Sequence, residues 1–358
     1  MSSDASRRIP SLDGLRALSI GLVILSHLLG TRGFPFGPRA LGTLGDFGYL
    51  GVKVFFVISG YLITTLLIKE HDRTSTISLI GFYQRRAWRI FPAFYAFVGA
   101  MCLAWALGSI ELKTNDVLCA LTYTMNYHYD RSWELGHIWS LSIEEQFYFV
   151  WPFLFLIAGR KRVVPVATAM IVLAIGFRAI AWFYFRDDNL VEEAYPCVMD
   201  SIAVGCLMAG LRGRLDRSAR YHRFLRSPLF LIVPIAIAVF QYPSRPELAY
   251  TLGTTIVNVG LALVVDRSVR IPDDPVGRLL NWSPLVWIGT LSYSLYLWQE
   301  PFLNHLARSE INTFPVNLLL AAACALGSYY LIERPTLAWR DRRIARKRAK
   351  VAAALDVT

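Results

Sequence analysis

Arg16 and His27 lie eleven residues apart in the first apolar stretch of the chain. Eleven helical residues turn through about 1100°, within about 20° of a whole number of turns, so the two side chains share one face roughly 16 Å apart along the axis. Asp13 sits one turn before Arg16 on the same face. Ionisable groups in a membrane helix are costly and generally line a polar path. His27 is a candidate general base, because a neutral imidazole can take a proton from a hydroxyl and return it to a leaving group. The plainer alternative is a histidine that only hydrogen-bonds a neighbouring helix. The face shared with Arg16 favours the chemical role.

Glu144 is the second candidate. It lies in the run His137-Ile-Trp-Ser-Leu-Ser-Ile-Glu-Glu-Gln-Phe-Tyr148. At helical spacing His137, Ser140, Glu144 and Tyr148 share a face, and Glu145 points about 100° away. Glu144 would be about 10 Å deep if this span enters from the outside, near the depth of His27. It could then orient and charge-stabilise an imidazolium, or instead pair with a structural arginine such as Arg178. Arg86 and Arg89 project together at i and i+3 beside Arg85. Their planar forks suit phosphate oxygens, although arginines at a span entrance also serve as topological anchors. Arg178 and Asp200 are expected to form a structural pair. Lys53 is expected to snorkel to the interface, and Ser59-Gly60 marks a close helix approach. The polar-aromatic stretch Leu291–Phe302, with Tyr293, Tyr296 and Trp298, reads as either a helix interface or an acceptor pocket. No P-loop, G-x-S-x-G or metal-spaced histidine cluster is present.

The elements that must hold these residues are membrane helices. The 358 residues are 55% hydrophobic, with a mean hydropathy of +0.42, above the usual range for a soluble domain. The chain is therefore expected to be all-α, a polytopic transmembrane bundle, since open strands cannot cross lipid. About ten spans are expected, near 12–30, 48–68, 88–108, 138–158, 163–185, 195–211, 228–242, 248–265, 285–307 and 313–333; the span at 228–242 is short. With the N-terminus and its Arg7 and Arg8 in the cytoplasm, roughly 27 of the 37 Lys+Arg fall on that side, about 7 outside and about 3 within spans. Both termini are then cytoplasmic, and the formal charge of +11 reflects topology rather than a nucleic-acid partner. Segment 109–137 is external or half-inserted, or hides an eleventh span. The five cysteines receive no disulfide or metal role, and the first apolar run, carrying Asp13, Arg16 and His27, does not read as a cleaved signal. Residues 1–335 are expected to form the membrane domain and 336–358 a basic cytoplasmic tail near anionic lipid.

Several segments resemble acyltransferase family 3, the membrane O-acyltransferases. They are Asp13-Gly-Leu-Arg16 with the R-x10-H spacing to His27, Phe55-Phe-Val-Ile-Ser-Gly-Tyr61, and Arg86-x-x-Arg89 before Pro92. Then come Trp139-Ser-Leu-Ser-Ile-Glu-Glu-Gln-Phe-Tyr148, Ser292-Tyr-Ser-Leu-Tyr-Leu-Trp298 and the closing Glu333-Arg-Pro335. The resemblance runs in order from Ile9 to Pro335. It implies transfer of an acyl group, commonly acetyl from acetyl-CoA, to a hydroxyl of a surface polysaccharide, lipopolysaccharide, peptidoglycan or macrolide. It places acid–base work on His27 and donor handling on Arg16, Arg86 and Arg89. Two positions depart from the family pattern: Lys53 stands where an acid is common, and Gln299 where many members have histidine. Some members carry a C-terminal SGNH hydrolase-like domain; this chain is read without one.

The expected function is thus an O-acyltransferase in the bacterial cytoplasmic membrane. Acyl-CoA is its donor substrate, no cofactor is permanently bound, and a glycan or similar hydroxyl compound is the acceptor. Tyr293, Tyr296 and Trp298 would contact the acceptor. His27, oriented by Glu144, would act directly on the acceptor hydroxyl or through an acyl-histidine. The alternative is a transporter or flippase for an acyl donor or glycan intermediate, using the same buried charges as a path.

Overall fold

In a computed structural model, residues 9–36, 46–241 and 246–355 are described. Arg7, Arg8 and the last residues of the expected tail, 356–358, lie outside the described residues. Regular structure among the described residues is entirely helical. The long elements are α1 Pro10–Leu28, α2 Asp46–Thr74, α3 Leu79–Ala106, α4 Ile138–Ala158, α5 Val163–Ile180, α6 Tyr195–Leu215, α7 Ile232–Gln241, α8 Thr254–Arg270, α9 Ser283–Gln299, α10 Val316–Ser328 and α11 Arg334–Leu355.

Among the described residues, eight helical stretches are long and apolar enough to cross a bilayer, or nine if one bent pair counts as a span. That pair joins Ala219–Arg226 to Pro228–Gln241 at 69°, so the expected span at 228–242 is one limb of a bend. The expected span at 285–307 is also shorter. The α9 helix has 17 residues, about 26 Å of rise, and it stops before Pro301, whose nitrogen has no hydrogen to continue the ladder. Segment 109–137 contains only short helices, Asp116–Leu121, Met125–Tyr127 and Trp133–Gly136, so it forms no eleventh spanning helix. The boundary expected after residue 335 falls inside α11, one continuous helix.

The helices pack in an order that keeps the ionisable stripe of α1 inside. The α1 helix lies between α2 and α9; α2 also packs on α6, and α6 on α5 and α8. Glycine permits the closest approaches. A Cβ at Gly289 would sit 1.8 Å from the Asp13 carbonyl oxygen, and one at Gly14 2.0 Å from that of Leu280. The α2–α6 crossing is reciprocal: a Cβ at Gly60 would sit 2.0 Å from the Ile202 carbonyl oxygen, and one at Gly205 2.2 Å from that of Val57. Small residues of this kind let two membrane helices touch backbone to backbone, as expected for Gly60. The outward faces carry bare apolar side chains, among them Leu103, Phe149, Ile157, Tyr184 and Leu331, the surface a lipid-facing helix requires.

One charge pair lies deep in this bundle. Arg178 on α5 donates to both carboxylate oxygens of Asp200 on α6, at 2.8 and 3.0 Å. Its remaining donors meet the Cys197 carbonyl and Thr255 Oγ1, each at 2.5 Å, and the Thr251 carbonyl at 3.2 and 3.3 Å. The pair expected between these residues is formed, so Arg178 is not the partner of Glu144. Lys53, expected to snorkel, is instead only 6% exposed, with its ammonium 4.8 Å from the Tyr49 ring centre.

Candidate active site

Two cavities lie along the α1 stripe and divide its ionisable residues. The larger is about 480 Å³ and is lined by His27, Trp133, His137, Trp139, Tyr296 and Glu300 among others. The smaller, about 100 Å³, is lined by Arg16, Arg86, Arg89, Glu144, Glu145 and Tyr293, with further side chains from α2 and α4. Val52 and Tyr296 line both and form the wall between them.

His27 stands near the end of α1. Its Nδ1 lies 2.6 Å from Gln299 Oε1. An amide oxygen only accepts, so Nδ1 carries a hydrogen. In the neutral ring that leaves the lone pair on Nε2, the nitrogen a general base would use. The Trp133 indole meets the imidazole edge-on, with centroids 5.7 Å apart. Trp133 also donates from Nε1 to the Glu300 carbonyl at 2.9 Å, which ties the 109–137 segment to the end of α9.

The expected link between Glu144 and His27 is not made. Glu144 Oε1 accepts from Ser59 Oγ on α2 at 2.7 Å, and Tyr148 donates to the same hydroxyl at 3.1 Å. Helical spacing placed Glu144 on a face with His137, but that face meets α2 at the level of Ser59, below the wall that Val52 and Tyr296 make. The position next to His27 belongs to Gln299, on a helix 272 residues away in sequence.

The arginines do converge. Arg16 bonds Asp13 Oδ1 at 2.9 Å. The Arg86 guanidinium lies over the Tyr148 ring, 4.3 Å from its centre. Arg16, Arg86 and Arg89 thus line one cavity from α1 and α3 with Glu144 and Glu145 opposite on α4. Arg85 turns away to Glu70 Oε2 at 2.8 Å and is an anchor. Forked cations on two helices around one opening form a fitting site for phosphate or carboxylate oxygens.

The three aromatic residues expected to contact an acceptor separate. Tyr296 lines both cavities and Tyr293 the smaller one. Trp298 lines neither; its indole packs edge-on against Phe97, with centroids 5.3 Å apart. At about 100° per residue Trp298 turns away from the face that carries Tyr296, and it is a packing residue. Trp133, in the segment expected to be external or half-inserted, was not among the sequence candidates, and His137 entered only as a neighbour of Glu144 on a shared face. Gln299 entered only as a departure from a family pattern. Among the described residues, no group of three or more His, Cys, Asp or Glu is placed to hold a metal ion.

A family model described as an acyltransferase domain matches residues 9–333. The chain is 30% identical to "O-acetyltransferase OatA" of Staphylococcus aureus (strain NCTC 8325 / PS 47), over 92% of this chain and 57% of that protein. It is 28% identical to "Putative peptidoglycan O-acetyltransferase YrhL" of Bacillus subtilis (strain 168), over 92% of this chain and 55% of that protein. The "Putative O-acetyltransferase SACOL0978" of S. aureus (strain COL) is 29% identical, over 92% and 57%. The chain spans little more than half the length of these curated relatives. No solved structure matches it.

Proposed function

The chain belongs to the acyltransferase 3 family, and on that premise we propose that it is a multi-pass membrane O-acyltransferase that moves an acyl group, acetyl in the first instance, from acyl-CoA to a hydroxyl of a surface glycan. The observation that carries this reading is the division of the α1 stripe. A histidine bonded through Nδ1 to Gln299 lines one cavity, three arginines line the next, and two side chains are shared between them. In this reading the arginines hold the phosphates of the donor and the thioester reaches the wall beside His27. His27 Nε2 takes the acceptor proton as the hydroxyl oxygen bonds to the acyl carbon. The C–S bond then breaks and the thiolate recovers the proton from the imidazolium. Glu144, bonded through Ser59 and Tyr148, balances the charge of the arginine cradle. The name of the B. subtilis relative, a putative peptidoglycan O-acetyltransferase, supports a cell-envelope glycan as acceptor. The test is CoA release by the purified protein in lipid nanodiscs. Release that requires both acetyl-CoA and a glycan acceptor is the expected outcome; a protein that moves either compound across vesicles without releasing CoA is a transporter.

The arginine cradle gives a separate expectation. Arg86→Lys with Arg89→Lys keeps the charge and loses the planar forks, so the donor KM should rise about tenfold, a change of ~1.4 kcal/mol. The variant should also discriminate less between CoA thioesters with and without the 3′-phosphate. An unchanged donor KM would make these residues topological anchors only.

The charge bias supports cytoplasmic termini, with the His27 cavity toward the outside and residues 336–358 as an internal basic tail. With Cys102, Cys119, Cys197, Cys206 and Cys324 replaced, Asp130→Cys should react with an impermeant thiol reagent in intact bacteria. Arg217→Cys should react only after permeabilisation. The reverse pattern inverts the topology and puts the His27 cavity in the cytoplasm.

A further inference from the structure

Tyr293 and Trp298 do not line the cavity that holds His27, and residues of the segment leading into α4 do. Tyr129, Arg131 and Trp133 all line this space of about 480 Å³, a volume that can enclose a small organic ligand. The Trp133 indole is centred 5.7 Å from the His27 imidazole, so a hydroxyl within reach of His27 has that indole beside it. The indole is held in place by its bond to the Glu300 carbonyl and by the His305 ring, edge-on at 4.7 Å. Tyr49 and Trp139, stacked with centroids 5.7 Å apart, add two more rings to the lining. The Tyr129 hydroxyl is buried with no hydrogen-bond partner, and a buried polar atom in that condition calls for an explanation. Burial, then the nearby Asp187 and Glu193, pushes this phenol up to about 12, so it stays protonated and able to donate.

The segment that carries Tyr129 and Trp133 is pinned from within. Asp116, fully buried, accepts from the backbone N–H groups of Lys113 at 2.8 Å and Ser132 at 3.2 Å, and lies 3.0 Å from His128 Nε2. Arg131 donates twice to the Glu193 carboxylate, both times at 2.6 Å. Glu300 accepts from the His137 backbone N–H at 3.1 Å. The guanidinium and the carboxylate of the lining are thus both engaged within the protein. We propose that Tyr129 and Trp133 recognise the acceptor, and that it presents a neutral pyranose ring: the ring lies against the Trp133 indole, one of its oxygens accepts from the Tyr129 hydroxyl, and the hydroxyl to be acylated meets His27. The inference rests on the acyl-transfer reading and deepens it. A pyranose has an apolar face of C–H bonds and hydroxyls around its edge, so a flat aromatic wall with a phenol donor nearby suits both parts. An anionic sugar would bury its charge beside an arginine already committed to Glu193, which is costly.

The test is steady-state transfer by the full chain in nanodiscs, with acetyl-CoA and a panel of glycans that includes neutral oligosaccharides and polyuronates. A wild type that transfers to no glycan defeats the acyl-transfer reading itself, before Trp133 is in question. An active wild type should prefer the neutral acceptors. Trp133→Gln keeps an N–H for the Glu300 carbonyl and loses the ring, so the acceptor KM should rise about tenfold. Its donor KM should stay within about a factor of two, since the arginines line the other cavity. Trp133→Phe keeps a ring and loses the N–H, and its acceptor KM should stay within about threefold of wild type. Tyr129→Phe removes only a hydroxyl that bonds nothing in the protein. Its acceptor KM should rise about fivefold, the scale of one hydrogen bond, and this variant decides the matter if Trp133→Gln does not fold. A Trp133 that serves only to tie the segment to Glu300 predicts the reverse order, with Phe harmed and Gln spared, and that order overturns the proposal. So does a wild-type acceptor KM in Trp133→Gln or Tyr129→Phe, a loss confined to kcat, or a wild type that prefers polyuronates.

Discussion

Purified His27→Ala protein is expected to fold normally and to transfer acyl groups at least about 10²-fold more slowly than wild type, the scale of a lost acid–base group. The expectation follows from where the ring sits. His27 ends a helix whose inner packing is carried by residues such as Leu12, Ile20 and Val23, all 2% exposed or less. The imidazole itself is only half-buried at a cavity wall, so its removal leaves that packing in place. The loss should fall on kcat, because proton transfer belongs to the transition state, and the donor KM should hold because Arg16, Arg86 and Arg89 line the other cavity. Near wild-type turnover in a folded His27→Ala protein would sink the mechanism.

The second large effect concerns folding. Arg178→Ala should cost about 3–5 kcal/mol, because it leaves the Asp200 carboxylate buried without its cation. Asp200 is fully buried, and Thr255 Oγ1, which donates to it at 2.6 Å, is a single neutral donor. The expected readout is a lower thermal midpoint and a poor yield of monodisperse protein in detergent. The double variant Arg178→Met with Asp200→Leu removes both charges and should regain most of the midpoint, since well-packed apolar replacements of buried pairs are commonly tolerated. Neither residue lines either cavity, so whatever folded double variant is obtained should keep its catalytic rate. A single variant as stable as wild type would show that the pair is incidental.

How much of this was legible depended on the range of each interaction. Apolar length and the cost of bare backbone in lipid made the all-helical bundle readable from sequence. The α1 stripe was readable too, because Asp13, Arg16 and His27 are related by one helix's own geometry. The Arg178–Asp200 pair was legible because two opposite charges in separate apolar spans have few alternatives to each other. Glu144 shows the limit. Helical spacing sets which side chains share a face, and it is silent on the helix that face meets. Glu144 met Ser59, and His27 met Gln299 across the α1–α9 contact that Gly289 permits. Trp298 lines neither cavity for a related reason: belonging to an aromatic run did not say which of its residues would.

The wall between the two cavities has an electrical consequence. Val52 and Tyr296 are 7% and 6% exposed. The Tyr296 hydroxyl is tied down by Ser140 Oγ at 2.6 Å and by the His137 carbonyl, to which it donates at 3.1 Å. In a protein that crosses a bilayer, polar hollows on either side of such a wall bring water close from both directions, and much of the membrane voltage then drops over the few ångströms between them. Each elementary charge that slips through releases about 2.3 kcal/mol per 100 mV. In the proposed orientation, Tyr296 and Val52 are then the insulation between the two cavities.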